Sequence, residues 1–281
     1  MVGGDWIANR RLQVFVIADY GKDDPSFIEV HQFISSLIPE AEVQRVCVEP
    51  FSTIQTGFWA YQLALNHSKL MSLPGGDAIR TYLFLNTAPR KGSPKPQKDN
   101  EGERLAYARL DNGVEVVGAL SGESFSFIKP MIKDLRAVGV PDRGSQFRSR
   151  DIFPFALRDI AEGNYSCLGR KIALGTIPKP GINRIAHVDG YGNIKLTTLR
   201  SGVGFGEGDN VAITIGYRKL DALFSDSMFG VKEGLLCLAP GSSGPKGDAF
   251  LEISKRSGNA WKEFGEPTIE SAVRIALGKR A

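Results

Sequence analysis

The apolar run Leu12-Gln13-Val14-Phe15-Val16-Ile17-Ala18 stops at the acidic turn Asp19-Tyr20-Gly21-Lys22-Asp23-Asp24, and a helical pattern begins directly after it. A strand that hands over to a helix in this way opens an α/β domain, so the chain is held to a sheet covered by helices. In open α/β sheets, ligands sit outside the carboxyl ends of the strands. An ionised Asp at such an end is a pure acceptor with two oxygens, suited to both hydroxyls of a ribose. Asp19, which closes the strand, is the first candidate for ligand contact. Asp24 and Ser26 suit either ligand contact or the N-cap of the helix that follows.

The alternation continues beyond this unit. Phe27, Val30, Phe33, Ile34, Leu37 and Ile38 recur at helical spacing and predict a helix near 25–38, stopped by Pro39. Strands are expected at 43–48 and 81–85, with a helix near 54–67 between them. The runs 105–110 and 114–119 read as a hairpin, because Asp111-Asn112-Gly113 suits the positive φ of a tight turn. Helical segments are expected at 126–138 and 151–162. The Pro-, Lys- and Gly-rich stretch 88–104 is too long for a simple connector.

Character changes at Thr176-Ile177-Pro178-Lys179-Pro180-Gly181, which reads as a domain boundary. Beyond it, short β-like runs at 182–188, 193–198, 210–217, 234–238 and 249–254 are separated by turns rich in Gly, Ser and Asp. The tail 268–279 reads as a closing helix. The expected architecture is an α/β N-terminal domain with a mostly parallel sheet over residues 1–177. A C-terminal antiparallel β-barrel is expected over 182–281.

Composition narrows the function classes. Lys and Arg are scattered and the net charge is only +4, which lacks the footprint of a nucleic-acid binder. No apolar run approaches a membrane span and the first residues carry no signal-peptide core, so a cytoplasmic protein without membrane contact is expected. Cys47, Cys167 and Cys237 stand singly and read as buried, reduced thiols. His31, His67 and His187 show no ligand spacing, so no metal site is expected. The glycines of 202–208 and 241–247 match no phosphate loop: the first set opens no helix, and the second lacks the Gly-Lys-Ser/Thr ending.

Six blocks, in order, resemble the family of S-adenosylmethionine-dependent adenosyltransferases, which includes the hydroxide adenosyltransferases, the fluorinase and the chlorinase. Asp19–Ser26 resembles the first-strand motif. Thr87-Ala88-Pro89-Arg90-Lys91-Gly92 occupies the place of Asp-Pro-Gly-Val-Gly, and Asp111-Asn112-Gly113-Val114 is similar to Pro-Asp-Asn-Gly-Leu. Gln146-Phe147-Arg148-Ser149-Arg150-Asp151-Ile152-Phe153 resembles Thr-Phe-His-Gly-Arg-Asp-Ile-Phe. Val188-Asp189-Gly190-Tyr191-Gly192-Asn193 resembles the motif that opens the family's barrel, and Ala249–Ala260 its last barrel motif.

The resemblance implies nucleophilic attack on C5′ of S-adenosylmethionine with L-methionine as leaving group. S-adenosylmethionine is then a substrate, and no cofactor is implied. Asp19 would hold the ribose hydroxyls, with Asp24, Ser26 and Phe147 also on substrate. Asp189 and Asn193 would take the methionine amino and carboxylate groups, unless they serve only their own β-turn. Gly247–Ala260, including Lys255 and Ser257, would reach the adenine edge. The resemblance also implies a homotrimer, with sites between one subunit's N-terminal domain and a neighbour's barrel. Hydroxide-forming members use an Asp, Arg and His set to activate water. Ala88 and Arg148 stand in place of that Asp and His, and Lys91, Lys95, Lys98 and Arg104 are candidates for the Arg. Arg148 and Ser149 are the catalytic candidates, and Ser149 matches a Ser of the fluorinase halide site. Water or hydroxide is the nucleophile by analogy. A catalytically impaired S-adenosylmethionine- or adenosine-binding protein, and a member using another nucleophile such as halide, stay open.

Overall fold

The protein is represented by a computed structural model that describes residues 11–87, 103–141 and 145–278. The chain divides into two compact units, Met1–Lys179 and Pro180–Ala281.

In the first unit, β1 (Arg11–Ala18) runs into α1 (Pro25–Leu37), followed by β2 (Ala41–Cys47), α2 (Thr53–Leu70) and β3 (Ile79–Asn86). The hairpin β4 (Leu105–Leu110) and β5 (Glu115–Ala119) comes next, then β6 (Ile132–Val138), α3 (Arg148–Asp151), α4 (Phe153–Ala161) and β7 (Leu168–Lys171). These strands form one seven-stranded sheet in the order β2-β1-β3-β5-β4-β6-β7. The pairs β1–β2, β1–β3 and β3–β5 are parallel, whereas β4–β5, β4–β6 and β6–β7 are antiparallel. The sheet is therefore mixed rather than mostly parallel. The β4–β5 hairpin inserts a reversed strand where a crossover would have kept the direction.

Residues of period two place two cores on the two faces. Val14, Val16, Tyr82 and Phe84 pack with Phe27, Val30 and Ile34 of α1 and with Phe153, Leu157 and Ile160 of α4. Ile17, Leu83, Leu85, Ala106 and Ala108 pack with Ala60 and Ala64 of α2 and with Phe125 and Ile128. Both helices that follow the parallel strands are capped as their sequences require. Asp24 accepts the amide of Ser26 at α1, and Ser52 accepts the amide of Gln55 at α2.

Three expectations for this unit are corrected. Residues 132–138, read as helix, are β6: Ile132 and Leu135 share one face across the irregular β4–β6 pairing, and Val138 is buried on the opposite face. An irregularity of this kind breaks the two-residue alternation and imitates a helical period. The helix expected at 151–162 is α4, and Asp151 belongs to the separate turn α3. The thiols are not uniformly buried: Cys47 is exposed, Cys167 half-buried and Cys237 buried.

The second unit contains β8 (Ile185–Val188), β9 (Ile194–Leu199), β10 (Asn210–Ile215), β11 (Arg218–Phe224), β12 (Leu236–Pro240), β13 (Phe250–Lys255), α5 (Ala260–Glu263) and β14 (Val273–Leu277). Its sheet order is β14-β10-β11-β12-β13-β9-β8. A bridge between Arg184 and Ala272 joins the two edge strands, so the sheet curls back on itself in a barrel-like form. All neighbours are antiparallel except β11 and β12, which run parallel. Leu196, Ile213, Phe224, Leu238, Leu251 and Ile253 fill the interior. The tail expected as a helix is instead β14, paired with β10 from Val273 to Leu277. Among the described residues, no helix is long and apolar enough to cross a membrane.

Candidate functional site

The parallel register pairs Ala18 with Asn86, so the carboxyl ends of β1 and β3 finish side by side. A cavity of about 240 Å³ opens at this edge, lined by Asp19, Tyr20, Asp24, Ser26, Pro50, Phe51 and Asn86. Asp19 Oδ2 accepts the amide of Phe51 at 2.8 Å. Phe51 itself sits at φ +64°, in the left-handed region that non-glycine residues seldom adopt. The bond from its amide to Asp19 helps hold that conformation, and Phe51 as a residue is 50% exposed. Asp24 acts as the N-cap of α1, and the hydroxyl and amide of Ser26 hold its carboxyl below the ordinary Asp range.

Behind the cavity, Tyr20 ties three elements together. Its hydroxyl donates to Ser149 Oγ at 2.5 Å and accepts from Asn86 Nδ2 at 2.8 Å. Its ring meets Phe27 and Phe147 edge-on at 5.5 and 5.8 Å. Burial pushes the Tyr20 phenol well above its ordinary value, so it stays protonated. Arg150 holds the α3 turn from the other side. It grips Asp151 with two hydrogen bonds of 2.6 and 3.0 Å, pairs with Glu29 of α1, and lies 4.7 Å over the Phe147 ring. Arg148 is 9% exposed, reaches the carbonyl of Pro141 at 3.3 Å and lies 5.0 Å over the Phe153 ring.

The first unit thus brings Asp19, Asp24 and Ser26 to one cavity and links Phe147 and Ser149 to it through Tyr20. Tyr20, Phe51 and Asn86 were not singled out from the sequence. The parallel register explains why Asn86 belongs here: a residue ending one strand shares an edge with the residue ending its neighbour. Ala88, Lys91, Lys95 and Lys98 lie outside the described residues, and Arg104 is exposed.

In the second unit, Asp189 organises a turn of its own. Oδ1 accepts the amides of Tyr191 and Asn193 at 2.9 and 3.0 Å, and Oδ2 accepts Asn193 Nδ2 at 3.0 Å. Trp261 N donates to the carbonyl of Gly192 at 2.9 Å, which fastens this turn to α5. The turn leaves no room for a side chain at Gly192, since a Cβ there would run into the Asn259 side chain. Tyr191, at the tip, is 81% exposed. Lys255 pairs with Glu263 at 2.6 Å, and Ser257 occupies an exposed turn at φ +57°. Among the described residues, no group of three or more His, Cys, Asp or Glu is placed to hold a metal ion.

No protein-family model and no curated protein matches the sequence. Solved structures match the fold. An uncharacterized conserved protein from Thermotoga maritima matches with a TM-score of 0.71 at 17% identity, covering 94% of this chain and 100% of its own. A conserved hypothetical protein from Thermus thermophilus matches with a TM-score of 0.63 at 18% identity, covering 94% and 99%. At these identities the likeness is one of fold.

Proposed function

We propose that the chain is an S-adenosylmethionine-dependent adenosyltransferase that displaces L-methionine from C5′. Water or hydroxide is the proposed nucleophile and adenosine the product. The observation that carries this reading is the Asp19 carboxylate at the carboxyl edge of β1, set in a cavity with the exposed face of Phe51. A diol needs a two-oxygen acceptor, and a sugar or base needs a flat apolar surface; the two stand together here. In the reaction, an oxygen lone pair forms the O–C5′ bond while the C5′–S electron pair withdraws to the sulfonium sulfur. Methionine leaves as a neutral thioether, so the leaving group needs no acid. The protein's task is to hold nucleophile, carbon and sulfur in line and to exclude other water.

In this reading Asp19 anchors the ribose, and Asp24, Ser26 and Phe147 line the substrate. Asp189 and Asn193 receive the methionine end, while Lys255, Ser257 and the exposed Tyr191 ring serve the adenine. Homotrimeric assembly and a cytoplasmic location belong to the same proposal. A second reading, a binder that has lost catalysis, is favoured by Arg148. A guanidinium carries donors only and offers no lone pair to act as a base.

Incubation of the pure protein with S-adenosylmethionine, followed by chromatography for adenosine and methionine, tests the function. Release of both supports the enzyme. A raised melting temperature without release supports the binder, and a gain of activity in the Ala88→Asp/Arg148→His double variant would trace the loss to those positions. Asp19→Asn is expected to weaken binding by at least about tenfold, since a hydrogen bond to a charged acceptor is worth roughly 1.5–3 kcal/mol. Unchanged affinity by calorimetry would leave Asp19 as a turn residue.

A further inference from the structure

We propose that Tyr20 is a positioning residue that sets the hydrogen-bonding direction of Ser149; this rests on the adenosyltransferase reading. A phenol has one hydrogen. Asn86 Nδ2 donates to the Tyr20 oxygen at 2.8 Å, and the Tyr20 hydrogen goes to Ser149 Oγ at 2.5 Å. Ser149 is therefore an acceptor toward Tyr20, and its own hydrogen must point elsewhere. Ser149 is only 6% exposed, and among the described residues no group accepts that hydrogen. A buried hydroxyl whose donor is unused is costly unless something else takes it. An acceptor atom brought by the ligand or the nucleophile fills that role. In this proposal the Ser149 donor is set in advance, and a donor set in advance costs no reorganisation when the reaction occurs.

The arrangement is rigid because the Tyr20 ring is held independently of its hydroxyl. Phe27 and Phe147 clasp the ring edge-on, and Arg150 pins Phe147 and the α3 turn to α1. Tyr20 also follows Asp19 directly in the chain. One short segment thereby couples the proposed ribose anchor to the turn that carries Arg148 and Ser149. The purely structural alternative is that Tyr20 serves only as a packed ring.

Tyr20→Phe separates the two, because it removes the hydroxyl and keeps the ring. The full-length protein, Tyr20→Phe, Ser149→Ala and the double variant are compared for S-adenosylmethionine turnover, affinity and melting temperature. Tyr20→Phe is expected to lower kcat about tenfold, with KM within twofold and melting within a few degrees. In the Ser149→Ala background it is expected to cost nothing further. Where the substrate binds without turnover, the same non-additive loss is expected in Kd. An equal loss in both backgrounds overturns the role, as does a variant that changes only the melting temperature. A wild type that neither binds nor turns over S-adenosylmethionine overturns the underlying function and the role with it. A wild type that turns it over, with Tyr20→Phe unaffected, overturns the role alone.

Discussion

Glu115 shows how much a single buried group decides. It stands on the central strand β5, where its carboxylate accepts from Tyr107 at 3.0 Å and from Tyr165 at 3.2 Å, with Arg80 at 3.9 Å. Arg109 and Tyr82 complete the charged and titratable groups around it. Burial pushes its pKa above the ordinary glutamate value, against the pull of the two tyrosine hydroxyls and the two arginines. A group whose folded pKa is raised favours the native state fully below its unfolded pKa. That contribution is lost as pH climbs through the folded value. Glu115→Gln keeps an acceptor for the tyrosines and cannot ionise. Its melting temperature relative to wild type is expected to rise by a few degrees between about pH 4 and pH 8, at ~2–8 °C per kcal/mol. A difference that stays flat across that range would show that Glu115 does not ionise at cost in the folded protein. Residues of this kind are hard to read from sequence. Glu115 follows the expected hairpin turn, and its surroundings are set by Tyr107 across the hairpin together with Tyr82 and Tyr165, which are more distant in sequence. The place of Asp19 in the cavity was legible because it depends on one local feature, the strand end. Tyr20 and Asn86 were not, because their meaning comes from the meeting of β1, β3 and α3.

At the scale of elements, period and punctuation carried the β1–α1–β2–α2–β3 order and the β4–β5 hairpin. Failures came where a strand lost its alternation or stood at a margin. The irregular β6 presents apolar residues every third position and so imitates a helix. In the tail, Val273 and Ile275 face the barrel interior, but Ala276 and Leu277 are exposed, which blurs the two-residue period. No local signal tells a short amphipathic tail from an edge strand; the pairing of Val211–Ile215 with Val273–Leu277 decides it. A chain ending at Ala272 loses that pairing and the buried Val273 side chain. Full burial of one such side chain is worth about 1.5–3 kcal/mol. For a domain of this size that corresponds to a fall of roughly 10 °C in the melting of the second unit. Unchanged thermal unfolding of the shortened chain would mean that β14 contributes nothing to the barrel's stability.

For the whole molecule, the two units make separate demands on the sequence. The first, Met1–Lys179, covers both faces of its sheet with its own helices, and the second, Pro180–Ala281, encloses its own interior. Each has the core needed to fold alone. The adenosyltransferase proposal assigns ligand groups to each unit: Asp19, Phe51 and Ser149 to one, Asp189, Tyr191 and Asn193 to the other. The fragment 1–179 should therefore unfold cooperatively and retain the Asp19 cavity, yet bind S-adenosylmethionine more than about tenfold more weakly than the full chain. Loss of even one hydrogen bond to the charged methionine end, at roughly 1.5–3 kcal/mol, accounts for that factor. Calorimetric titration of fragment and full chain under the same conditions is the measurement. Equal affinities would confine the binding site to the first unit, and would return Asp189 and Asn193 to the turn that their hydrogen bonds already build.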